Sequence, residues 1–173
     1  MITLEQLKAV YKEAPESRLK EFLDPLNETL QRFEINTPVR IQMFLAQIGH
    51  ESGELRYVLE LASGQSYEGR KDLGNTQIGD GVKYKGRGLL QITGRNNYVL
   101  CGMCLDLPLL ENPELLEQHP YSSLSSGWFW NTNNLNSFCD ANDFERLTKK
   151  INGGLNGYAN RLLLYQRAKK VIQ

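Results

Sequence analysis

His50-Glu51-Ser52-Gly53 follows directly on an apolar stretch, and a glycine-rich segment runs from Tyr84 to Gly94. Glu51 falls at the C-terminal end of that apolar segment, read as a helix packed into a core. Burial and the negative end of the helix dipole both disfavour a charged carboxylate, so both hold its proton towards neutral pH. That is the condition a general acid needs. Gly86, Gly88 and Gly94 let backbone approach a ligand closely. The pair of segments predicts a cleft with an acid on one wall and a hydrogen-bonding floor opposite. The plainer alternatives are a surface glutamate at a helix end and a glycine-rich turn whose polar groups satisfy one another.

Glycoside hydrolysis with inversion needs a second carboxylate roughly 6.5–9.5 Å from the acid, with room for a water. Glu54, Glu60, Glu68, Asp72 and Asp80 follow Glu51 in the chain. Gly53 breaks the helix before Glu60, so the chain can carry Glu60 across a cleft, and Glu68 in Tyr67-Glu68-Gly69-Arg70 is equally placed. Residue chemistry alone leaves Glu60 and Glu68 open. Gln91, Thr93, Asn96, Asn97 and Tyr98 offer neutral hydrogen-bonding groups and an aromatic face, which suit sugar hydroxyls and pyranose rings. Trp128 and Trp130 read as core, with a sugar platform as the alternative. Asn152-Gly153-Gly154 and Asn156-Gly157 form a loop with backbone freedom that could line the same cleft.

Other chemistries fit poorly. A zincin helix needs a second histidine four residues after His50, where Glu54 stands. His50 reads as a buried hydrogen-bonding residue. The glycine segment lacks the Gly-Lys-Ser/Thr of a phosphate loop. Cys101, Cys104 and Cys139 are an odd number, so no disulfide framework is expected. Cys101 and Cys104 have zinc or redox spacing, but His119 or a carboxylate would have to complete a metal site. The expectation is three reduced thiols, no metal and no organic cofactor.

The elements that must position these groups are helical. Apolar residues at helical spacing predict helices over about 3–14, 17–33 (bent or interrupted at Pro25), 95–104, 121–130, 144–151 and 157–171. Thr37-Pro38 is a helix start, and Ile41, Phe44, Leu45 and Ile48 form its stripe up to a stop at Ser52-Gly53. Leu55, Val58, Leu59 and Leu61 suggest a helical turn or two, and Asp72 to Asn75 and Gly79 to Gly81 suggest turns. Residues 83–93 read as short strands or extended loop. The last helix carries Arg161, Arg167, Lys169 and Lys170, and is expected to pack through Leu162, Leu163 and Val171. The pattern reads as a mainly α single domain over 1–173 with a small irregular or β insert, and the family resemblance drawn below implies that it is a catalytic domain with a lysozyme-like two-lobed form, the insert lining a cleft.

Twenty basic and twenty acidic residues cancel in a chain of 173. That argues against a dedicated nucleic-acid binder, which usually carries a basic excess. No run approaches the roughly 18 apolar residues of a membrane span, so no stable membrane insertion is expected. The N-terminus has neither a basic nor an apolar signal region, which points to synthesis in a cytoplasm. Nothing suggests more than a monomer.

Taken together, the segments Phe44 to Gly53, Tyr67 to Asn75, Gly79 to Gly81, Tyr84 to Tyr98 and Ile151 to Gly154, leading to Arg161 and Tyr165, resemble glycoside hydrolase family 19 in the family's order. This is the group of plant-type chitinases and related phage and prophage endolysins, and the Tyr-Glu-Gly-Arg segment looks like the endolysin branch. The resemblance implies Glu51 as general acid and Glu60 as general base, which favours Glu60 over Glu68. It implies that Thr93 holds the attacking water, that Gln91 and Asn97 contact sugar, that Asn152 lines the cleft, and that Arg161 is a buried partner in the carboxylate network. The implied function is a muramidase-type endolysin. It would hydrolyse the β-1,4 bond between N-acetylmuramic acid and N-acetylglucosamine in the glycan strands of peptidoglycan. It would await lysis in the host cytoplasm and reach the periplasm and cell wall through a holin-type pore. The competing readings are a chitinase, a lytic transglycosylase (for which one acid suffices), and a catalytically silent glycan-binding protein on the same fold.

Overall fold

A computed structural model describes residues 1–173. The chain forms nine α-helices: Leu4–Val10 (α1), Glu16–Arg32 (α2), Pro38–Glu51 (α3), the single turn Asp80–Lys83 (α4), Arg95–Leu105 (α5), Tyr121–Thr132 (α6), Leu135–Asp140 (α7), Phe144–Asn152 (α8) and Tyr158–Val171 (α9). Short 3-10 turns occupy Gln65–Tyr67, Lys71–Leu73 and Pro113–Glu117.

α3 begins where Thr37-Pro38 predicts, with the Thr37 hydroxyl accepting the Arg40 N–H at 3.3 Å. Ile41 through Gly49 are all buried, so the helix is enclosed on every side. α9 packs along it, α7 flanks it, and α1 packs in turn on α9. Gln42 and Gln6 donate to the carbonyls of Ile172 and Val171 at 2.7 and 2.9 Å, which ties the end of α9 to α3 and α1. Trp130 is fully buried, edge-on to Phe44, and Trp128 is core as well.

The helical segments fall close to their predicted bounds, with a few differences. α1 ends at Val10 because Tyr11 turns inward and its hydroxyl donates to the Leu45 carbonyl at 2.7 Å. α2 runs on through Pro25. α7, the Pro113–Glu117 turn and the helical turn at Asp80–Lys83 are unforeseen, and residues 54–62 form turns without a helix. The expected β content reduces to two single antiparallel bridges, Leu59 with Arg87 and Arg87 with Ile92. The buried face of α9 is Arg161, Leu164, Tyr165 and Ala168, whereas Leu163 is exposed. Leu162 and Val171 pack half-buried against the core as predicted, and Leu163 alone is corrected.

Two local features set the cleft. α3 stops at Ser52, and Gly53, Glu54 and Leu55 all take left-handed backbone (φ 60°, 57° and 68°). Two of these are not glycine, a conformation that costs of order 1–3 kcal/mol per residue and needs outside support. The Ser52 hydroxyl accepts the Leu55 N–H at 2.8 Å, and the Glu54 carboxylate accepts the Glu13 N–H at 2.7 Å and faces Arg167 at 3.4 Å. On the other wall, the glycine segment lies on a serine face of α6. Leu89 N–H donates to the Ser122 carbonyl and Leu90 N–H to the Ser126 hydroxyl, both at 3.0 Å.

Candidate active site

Glu51 is the last residue of α3, and its side chain keeps about a quarter of its surface exposed, at 26%. The Arg161 guanidinium, 1% exposed, donates to its Oε1 at 2.5 Å. The same guanidinium donates to Gln47 Oε1 at 2.6 Å and to the Asn156 carbonyl at 3.2 Å. Gln47 sits one turn before Glu51 on α3 and donates onward to Thr148 on α8 at 2.9 Å. A rigid three-pronged cation therefore fixes one carboxylate oxygen. Oε2 makes no hydrogen bond within the protein.

Glu60 is held differently. The Tyr67 hydroxyl donates to Oε1 at 2.8 Å, and the Gly86 N–H donates to Oε2 at 3.0 Å. Burial, and then the bond to Glu60, push the Tyr67 phenol above its ordinary value, so it stays a donor across the working pH range. Both carboxylate oxygens therefore accept hydrogen bonds from the protein. The Glu60 N–H pairs with the Gly86 carbonyl at 2.9 Å, and Lys85 clamps the Glu60 and Ala62 carbonyls at 3.2 and 3.1 Å. The wall carrying Glu60 is thus zipped to the glycine segment.

Glu51 and Glu60 line one hollow of about 350 Å³ with Tyr57, Leu59, Leu61, Ala62 and Gln91. A second hollow of about 330 Å³ adjoins it and shares Glu51 and Gln91. Its other walls are His50, Leu90, Phe129, Ile151, Asn152 and Arg161. The two form a trough with Glu51 at the middle. Gln91 bridges them from a left-handed backbone (φ 51°), and its amide donates to the Gly88 carbonyl at 3.0 Å. A larger hollow of about 460 Å³ lies between α5 and residues 106–111. Its carboxylates, Asp106 and Glu111, are exposed and held by no donor, so it lacks the geometry of a reaction centre.

The structure brings together Glu51, Glu60, Gln91, Asn152 and Arg161. It places four other predicted residues elsewhere. Glu68 accepts the Gly79 and Gly81 N–H groups at 2.6 and 2.8 Å, which makes it a brace for the turn into α4 and not a cleft residue. Tyr98 is fully buried, packs against Tyr84, and donates to the Lys85 carbonyl at 2.7 Å, so its face is closed to a sugar. Asn97 donates to the Thr93 carbonyl at 2.7 Å in the first turn of α5 and lines neither hollow. Thr93 lies beside the trough, outside its lining, with its hydroxyl donating to the Gln91 carbonyl at 2.9 Å.

His50 is half-buried, with Nδ1 at 2.8 Å from Asn160 Oδ1, and its ring lies so close on Gly157 that any Cβ there would overlap it. Cys101 and Cys139 are buried, which pushes both thiols up to about 12, and Cys104 is exposed. His119 packs edge-on to Phe22, and no three His, Cys, Asp or Glu side chains gather as a metal site.

Residues the sequence reading missed are mostly apolar or supporting. Phe129 reaches the trough from between the two buried tryptophans, since adjacent helical positions point about 100° apart. Tyr57, Leu90 and Ile151 add apolar wall. The helical spacing of Gln47 and Glu51 places them on one face and could have revealed Gln47.

A family model described as chitinase class I, of glycoside hydrolase family 19, matches residues 40–142. A glycosyl hydrolase family 19 domain-containing protein of Haemophilus influenzae is 32% identical over 155 residues, covering 72% of this chain and 76% of its own length. An endochitinase of Arabidopsis thaliana is 38% identical over 115 residues, 66% of this chain but 39% of that protein. The chain therefore spans about three quarters of the bacterial relative and about two fifths of the plant one. Chitinase C of Streptomyces griseus shares the fold with a TM-score of 0.80 at 22% identity, covering 99% of this chain and 76% of that one. A class IV chitinase of Zea mays gives 0.77 at 21%, over 98% and 91%. This chain belongs to glycoside hydrolase family 19.

Proposed function

We propose that the chain is an endolysin, hydrolysing the β-1,4 bond between N-acetylmuramic acid and N-acetylglucosamine in peptidoglycan by single displacement with inversion. The observation that carries the reading is the pair Glu51 and Glu60 on one hollow, one carboxylate anchored through a single oxygen and the other through both. Glu51 Oε2 delivers a proton to the leaving glycosidic oxygen. Ionised Glu60 takes a proton from water on the opposite face of the sugar. Thr93, outside the trough lining, supports the Gln91 backbone by donating to its carbonyl. No metal or organic cofactor takes part. Between the two carboxylates the chain turns at 52–56 and pairs through Leu59 with Arg87, and Leu61 beyond is exposed. Such a trough leaves room for the peptides that project from alternate sugars of a peptidoglycan strand. The enzyme would act as a monomer on the cell wall, after release from the host cytoplasm through a holin-type pore.

A second reading, hydrolysis of N-acetylglucosamine polymers, is favoured by the plant relatives, whose names are endochitinases. Mass spectrometry of the products from purified Gram-negative peptidoglycan, with Glu51→Gln as control, separates the readings. Disaccharides carrying one added water with N-acetylmuramic acid at the reducing end support the proposal, and N-acetylglucosamine at the reducing end would mean that the other bond is cut. Anhydro-muramyl ends would replace it with a transglycosylase. Cleavage of chitin oligomers alone would replace it with a chitinase.

A further inference from the structure

The carboxylates around the rim are all internally held: Glu51 by Arg161, Glu54 by Arg167 and the Glu13 N–H, Glu60 by Tyr67 and Gly86, and Glu68 by Gly79 and Gly81. The neighbouring cations are committed too. Lys85 binds two carbonyls, Arg87 pairs with Glu117 at 2.7 Å, and Arg161 serves Glu51. Arg56 is different. It is exposed, on the turn between the two catalytic candidates, and makes no ion pair and no hydrogen bond. Its guanidinium stands 5.9 Å from the centroid of the Tyr57 ring. Tyr57 is itself part of the hollow that holds Glu51 and Glu60. The Tyr57 ring in turn folds back over Gly53, two residues after Glu51, where an added Cβ would lie 3.2 Å from it. An aromatic face offers a weak hold on a guanidinium and leaves its donor fork unspent.

Resting on the peptidoglycan reading above, we propose that Arg56 is a specificity-determining residue that engages a carboxylate of the substrate's stem peptide. A polymer of N-acetylglucosamine is uncharged and offers a guanidinium only hydroxyls and amides. A peptidoglycan strand carries peptide carboxylates on alternate sugars, and a planar fork pairs with a carboxylate through two parallel bonds. The contact lies at the rim, in solvent, so it tunes preference and is sensitive to salt.

The test compares initial rates on intact peptidoglycan and on the same polymer with its peptide carboxylates converted to neutral amides, at low and high salt. For wild type the intact polymer is the better substrate. Arg56→Gln lowers the intact-to-amidated rate ratio by about two- to fivefold at low salt, the range of an exposed ion pair. Arg56→Lys recovers part of the loss, and 1 M salt removes the difference. Lys170→Gln, an equal change of charge on the last turn of α9, leaves the ratio at the wild-type value. The proposal is overturned if Arg56→Gln leaves the ratio unchanged, or if Lys170→Gln lowers it equally. A wild-type enzyme that cuts chitin oligomers but not intact peptidoglycan overturns the substrate reading itself, and Arg56 with it. Because Arg56 contacts little, unchanged melting temperatures confirm that each variant is folded.

Discussion

Replacing Arg161 with methionine tests the network that holds Glu51. The methionine keeps much of the buried stem and deletes all three donated bonds. The Asn156 carbonyl belongs to an exposed residue, and water can replace that partner. Gln47 is fully buried and loses the partner of its Oε1, which costs about 1–3 kcal/mol. Removing one member of a buried ion pair costs about 3–5 kcal/mol in full, but Glu51 is 26% exposed at the trough and recovers some hydration. The two contributions together come to about 3 kcal/mol. At roughly 2–4 °C per kcal/mol for a chain of this size, the melting midpoint falls by about 6–12 °C. Thermal unfolding followed by circular dichroism reads it directly. Adding Glu51→Gln then separates charge from packing. In the wild-type background it strands the Arg161 cation and destabilises. In the Arg161→Met background the bond between the two is already absent, so Glu51→Gln has a smaller effect. A midpoint shift under about 2 °C, or an equal effect of Glu51→Gln in both backgrounds, would refute this account of how Glu51 is held.

Three further outcomes are expected. Glu60→Gln lowers kcat on peptidoglycan by about 10²–10⁴-fold, whereas Glu68→Gln keeps turnover and costs about 1 kcal/mol of stability, measured by rates and denaturant unfolding; a larger rate loss for Glu68→Gln reverses the choice of base. Gly86→Ala puts a Cβ 2.6 Å from Gln91 Oε1 and 3.1 Å from Glu60 Oε2, so it lowers kcat about tenfold or more by displacing both groups while the melting temperature changes little. Asp80 is buried against Arg95, whose hydrogen bonds hold its carboxyl below the ordinary value despite burial. Its stabilisation is therefore present above the unfolded pKa of about 3.9 and lost as pH falls through the lower folded value. Asp80→Asn should unfold more easily at pH 7, and its gap from wild type should close below about pH 4.

The helices were legible because their apolar residues repeat at helical spacing and because Thr37-Pro38 and Gly53 mark the ends of α3. The lysozyme-like helical fold was expected from that pattern and from the family resemblance. The choice between Glu60 and Glu68 was illegible in residue types. It rests on backbone N–H groups, Gly86 for one and Gly79 and Gly81 for the other, and these leave no side-chain signature. Arg161 lies far from Glu51 in the chain, so spacing says nothing of their contact, and only the resemblance pointed to it. Tyr98 failed as a sugar contact because the turn of α5 carries it inward under Tyr84. Phe129 carries no residue-type signal that sets it apart from Trp128 and Trp130, which face the core. The left-handed run at Gly53, Glu54 and Leu55 was unreadable beyond its glycine, since contacts distant in sequence, from Glu13 and Arg167, sustain it.

In the proposed mechanism Glu51 and Glu60 act as acid and base on opposite faces of one sugar. Proton NMR of the newly formed reducing end, recorded in the first minutes of digestion of a purified β-1,4-linked N-acetylhexosamine substrate, tests it most directly. Single displacement predicts that the α-anomer appears first and decays by mutarotation to the equilibrium mixture. Initial formation of the β-anomer, or of a product with no reducing end, would contradict a base-activated water and remove Glu60 from its role.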